Sequence, residues 1–148
     1  MQFHYDIMTN PLNNSEWAFP LFECIHISMF AMSVGTIALV DFRMLGLTLR
    51  KYTPAQLVKA TSLWTLIGLV VVIITGMVIM TTDPLAYYYN PSFRLKILML
   101  TIGIVFNYTI HRRVAMSNAS PPVNAIVGAI SLLIWISVPV FGIFYAFV

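Results

Sequence analysis

Glu23 and His26 stand three residues apart in an apolar stretch, and Lys96 opens another. Neutral imidazole is a common iron ligand, so His26 is the candidate axial ligand of a haem b held in a dry pocket. Glu23, one helical turn earlier, is placed to accept from the imidazole and fix its tautomer. Arg94 and Lys96 are the cations that would neutralise haem propionates, although Lys96 reads equally well as a side chain reaching for the interface. Met77 and Met80 are candidates for the sixth iron position. His111 sits beside Arg112 and reads as an interfacial histidine. A second ligand set consists of Cys24, His26, Met29, Met32, Met77 and Met80, whose soft sulfur atoms suit Cu(I).

These residues lie in a chain whose solvent must be lipid. Of 148 residues 59% are apolar and 9% charged, and the mean hydropathy is +0.87. Roughly 20 apolar residues span a bilayer core as a helix. Four such stretches occur, at 17–40, 60–80, 93–110 and 125–148, and they fill one transmembrane domain over 1–148. The expected fold is therefore all-α, an integral membrane four-helix bundle. The polar opening stretch, with His4, lacks a basic region and a cleavage site, so span one is expected to act as its own insertion signal. Cys24 is the single cysteine and forms no internal disulfide.

Lys and Arg are retained on the cytoplasmic side during insertion. Arg43, Arg50, Lys51 and Lys59 fall in the first connection and Arg112 and Arg113 in the third, which predicts both termini outside, on the periplasmic side of a bacterial inner membrane. This topology accounts for the net charge of +3 without a nucleic-acid partner. Asp83-Pro84 ends span two, Tyr87, Tyr88 and Tyr89 suit a headgroup interface, and Pro91 and the pair Pro121 and Pro122 start the later spans.

Helical spacing gives each span one polar or small face. Ser28, Ala31, Gly35 and Ala38 make a ridge on span one at which another helix is expected to approach. Thr61, Thr65, Gly68 and Thr75 align on span two. Lys96, Leu100, Gly103, Asn107 and His111 share one side of span three. Span four aligns Gly128, Ser131, Trp135 and Gly142, with Pro139 as an expected kink. His26 and His111 differ in depth by about 15 Å, too far to ligate one haem. Asp41 and Arg43, with Arg112 and Arg113, are expected to form a structural ion-pair cluster at the inner boundary.

From Glu16 to Arg113 the chain resembles a bacterial family of uncharacterised four-helix membrane proteins. The resemblance rests on "SEWAFPLFECIHISMFAMSVGTIALVDFRMLGL", "SLWTLIGLVVVIITGMVIM" and "NPSFRLKILMLTIGIVFNYTIHRR", and carries Glu23, His26, Gly35, Asp41, Arg43, Trp64, Gly76, Phe93, Lys96, Asn107 and His111. More distantly the chain is similar to haem-dependent four-helix protoporphyrinogen oxidases and to the membrane domain of copper-resistance protein D. In the oxidase pattern a His on helix one and a Lys opening helix three are functional, which implies His26 and Lys96. A His closing helix three is His111, and Asn107 joins it as a cofactor-binding candidate. The oxidase family's tryptophan-rich flanks are absent, so that activity is not carried over.

The leading expectation is a haem-b membrane redox protein, an anchor or accessory subunit of a larger membrane complex or a homo-oligomer. The alternatives are a non-catalytic subunit that binds lipid or quinone, and a copper-handling membrane protein. No hydrolase triad order, phosphate loop, paired carboxylate site or zinc spacing points to an enzyme acting by itself.

Overall fold

The computed structural model describes residues 9–117 and 119–144. They form α1 (Ala18–Met44), α2 (Pro54–Met80), a short α3 (Pro84–Tyr89), α4 (Pro91–Phe106), α5 (Arg112–Met116) and α6 (Pro121–Phe144). One π turn, Asn107–His111, joins α4 to α5, and the three run together as a single helix, Pro91–Met116. That helix, α1, α2 and α6 are each long and apolar enough to cross a membrane. No strand occurs among the described residues. Residues 145–148 of the expected last span, and the tail up to residue 8 with His4, lie outside the described residues.

Local signals rather than hydropathy set the helix ends. α1 runs past Val40 because its stop is Gly46, whose positive φ of 76° closes the helix. The Gly46 N–H bonds the Arg43 carbonyl and the Leu47 N–H bonds that of Phe42, each at 3.0 Å. The start of α2 at Pro54 is fixed by a reciprocal cap, in which Thr53 and Gln56 each accept from the other's backbone N–H. Asp83 caps α3 and Asn90 caps α4, with Pro84 and Pro91 at the first helical positions, where a missing N–H costs nothing. Tyr88 and Tyr89 on α3 are exposed, and the Tyr87 ring packs on Phe93.

Successive long helices run antiparallel. α1 packs against α2 along its length and also against α6, which packs against α4. α2 packs against the third long helix at α5 rather than along α4. The end at which α1 begins and α6 finishes is the terminal end; the opposite end, with the α1–α2 and α5–α6 connections, is the loop end. Close approach is permitted by three glycines. A Cβ on Gly68 would lie 2.1 Å from Ser33 Oγ and 2.9 Å from the Met29 carbonyl oxygen, so α1 and α2 touch backbone to backbone there. Gly128 brings α6 to within 3.1 Å of the Asp41 carbonyl on the same measure, and Gly103 brings α4 onto Trp135.

The α1 ridge expected from the sequence lies elsewhere. Ser28, Ala31 and Gly35 are exposed, and a Cβ on Gly35 would meet nothing within 4 Å. The interior face of α1 is Ser33, Ile37, Val40, Asp41 and Met44. On α2 the buried residues include Thr65, Gly68 and Thr75, and on α6 Gly128, Ser131 and Trp135, in line with the spacing. α6 continues through Pro139.

Candidate functional site

Two polar layers lie about 22 Å apart along the bundle, the rise of the 15 residues from His26 to Asp41 on α1. In the terminal layer His26 is half-buried and its Nδ1 lies 2.9 Å from Thr75 Oγ1 on α2. The Thr75 hydroxyl proton is directed to the Val71 carbonyl at 2.7 Å. Thr75 therefore accepts from His26 Nδ1–H, which leaves the Nε2 lone pair free of the ring proton. Gly76 lets the ring lie against α2: a Cβ there would come within 3.1 Å of His26 Cε1. Lys96 on α4 is half-buried, runs along Gly142 of α6, and is near enough to act electrostatically on His26.

The geometry around His26 differs from expectation in its supporting groups. Glu23 is exposed, and no hydrogen bond joins it to His26; Thr75 holds the ring instead. A residue three positions before another shares its side of a helix but not its azimuth, and the exposed side here faces outward. Arg94 is exposed in the first turn of α4. Met77 is 58% exposed and Met80 37%, so both point away from the bundle, and Cys24 is exposed too. Among the described residues no three His, Cys, Asp or Glu come together in a metal-binding group.

The loop-end layer is better formed than its sequence signal suggested. His111, expected at an interface, is buried in the π turn, and its Nε2 lies 2.6 Å from Asp41 Oδ1. The side chains are 3% and 0% exposed, a level at which charges are retained only in pairs. Asp41 therefore pairs with His111 rather than with the arginines: Arg43 donates to the Tyr52 carbonyl, and Arg112 and Arg113 are exposed. His111 is thereby placed with Asp41 in the loop-end layer, away from His26. Beside the carboxylate stands Ser131 of α6, fully buried, with its hydroxyl near enough to act on Asp41.

Next to this pair a recess of about 30 Å³ opens between α1, α2 and the π turn. Thr36, Thr61, Ser62, Thr65, Asn107 and Tyr108 give it polar walls, and His111 and Arg112 also line it. Asn107, the remaining cofactor-binding candidate, belongs to this recess and not to the His26 layer. The sequence signals for the site were Asp41, five residues before the helix-ending Gly46, and the in-line spacing of Asn107 and His111.

No curated protein and no solved structure matches the chain. A family pattern does match, over residues 18–148, which takes in every long helix and both polar layers. The chain belongs to DUF6644, a family of unknown function.

Proposed function

We propose that the chain is a haem-b membrane redox protein of the bacterial inner membrane, with both termini outside and His26 as the axial ligand. The observation that carries this reading is the Thr75 bond. A metal-bound histidine donates its other ring N–H to a fixed acceptor, and Thr75, with its own proton committed to Val71, is such an acceptor. The donor set fits the group: an imidazole with Nε2 unprotonated, a half-buried ammonium close by for a propionate, and a flank where α2 does not pack along α4. Bound there, haem would supply one-electron transfer. His26 would hold the iron, Lys96 would neutralise a propionate, and Thr75 would fix the ring.

Six of the eight basic residues, Arg43, Arg50, Lys51, Lys59, Arg112 and Arg113, fall at the loop end and support its placement inside. Cys24, Met77 and Met80 are exposed, which thins the sulfur set expected for Cu(I) and equally leaves the sixth iron position without Met77 or Met80. Apolar surface covers the outer faces of all four long helices, which suits lipid contact and an accessory place in a larger assembly. The test is an absorption spectrum of protein purified from haem-replete cells. A reducible Soret band lost in His26→Ala supports the reading, and a colourless wild-type protein overturns it.

A further inference from the structure

We infer that the Asp41–His111 pair is a proton-exchange site, served by water held in the adjoining recess. Three observations converge on it. Both side chains are buried, and the carboxylate keeps one oxygen, Oδ2, with no hydrogen-bond donor. An ionisable pair held away from solvent inside a span is costly as a purely structural contact, which marks it as a candidate for function.

The second observation is access. His111 forms part of the recess wall, whereas Asp41 and Ser131 lie behind it. At about 10–15 Å³ of accessible space per water, a volume of 30 Å³ holds about two waters, and the polar walls give each the partners it needs. The third is the backbone. The one π turn among the described residues is the turn that carries Asn107 and His111, and such turns recur where a side chain must be re-aimed for function.

The chemistry is a single proton transfer. In the charged form of the pair the imidazolium keeps Nε2–H on Asp41 Oδ1 and gives up Nδ1–H to a recess water, which leaves neutral imidazole beside the carboxylate and carries the proton out as hydronium. Uptake is the reverse, with no electrons moved. Few other groups compete for this proton. α1 contributes Asp41 itself and Arg43, which is bonded to the Tyr52 carbonyl. The π turn and α5 contribute Tyr108 and Arg112. The recess walls on α2 (Val58, Thr61, Ser62 and Thr65) and the α6 side (Ser131) hold no charge.

The experiment is nitrogen NMR of histidine-labelled full-length protein in lipid nanodiscs. The chain has three histidines, and His4→Gln and His26→Gln assign the third signal set to His111. The His111 Nδ1–H should exchange with solvent deuterium within minutes. Ser62→Leu fills the recess while leaving the pair intact, and should slow that exchange tenfold or more, whereas Gly35→Leu on the outer face of α1 should leave it unchanged. A His111 Nδ1–H that does not exchange with solvent overturns the inference. So does an exchange rate indifferent to Ser62→Leu.

Discussion

The Asp41–His111 contact can be weighed by a double-mutant cycle of Asp41→Ala, His111→Ala and the double variant. At a separation of 2.6 Å and an effective dielectric of 20, two unit charges attract by about 6 kcal/mol. Each single variant leaves a lone buried group that sheds its charge by gaining or losing a proton, so part of that attraction escapes the cycle. Losing one partner of a buried ion pair costs about 3–5 kcal/mol, and the coupling energy should fall near 3 kcal/mol. A hydrogen bond between neutral groups on membrane helices is worth far less, about 0.6 kcal/mol on average. The two states of the pair therefore give separable answers. Reversible unfolding in mixed micelles, followed by tryptophan fluorescence and helicity, supplies the four free energies. Coupling of less than about 1 kcal/mol would refute the ionic pair and remove the imidazolium from the proton step.

Three further outcomes are expected. Gly68→Ala drives a methyl group toward Ser33 Oγ and the Met29 carbonyl, and should destabilise the protein by about 1–3 kcal/mol, whereas Gly35→Ala in open space should be neutral or stabilising; chemical unfolding of both variants reads the contrast. Thr75→Val removes the acceptor of His26 Nδ1–H at constant shape and should weaken haem retention about tenfold to a hundredfold, while Thr75→Ser retains it; equal Soret absorbance in both would count against the Thr75 role. Thr53→Ala removes the cap of α2 and should cost about 1 kcal/mol in the same unfolding assay, with no change in the absorption spectrum.

The number of long helices was readable from the chain because hydrocarbon content dictates it, and so were the inner faces of α2 and α6. The face of α1 was not. Small residues permit a close approach but do not choose it, and Ser33, with Gly68 supplying the room on the other helix, won over Gly35. Asp41 was misplaced for a related reason. Hydropathy ends a span at the first charge, while the backbone ends a helix at a glycine that can turn left-handed, and between Val40 and Gly46 the two criteria disagree. Thr75 was legible as part of the inner face of α2 but not as a partner of His26. A threonine at helical spacing reads as packing until a histidine from another helix is found on it.

The π turn also resolves a conflict of phase. Eight residues separate Gly103 from His111, and at 100° per residue an uninterrupted α-helix would turn His111 about 80° away from the side on which Gly103 meets Trp135. Absorbing one residue in the wider turn removes one such step and leaves about 20°. The third long helix is thus two rulers joined with an offset, one graduated for the terminal half and one for the loop half. Deleting a single residue between Asn107 and Ile110 would merge them into one scale, with His111 carried out of reach of Asp41 while Lys96 stayed where it is.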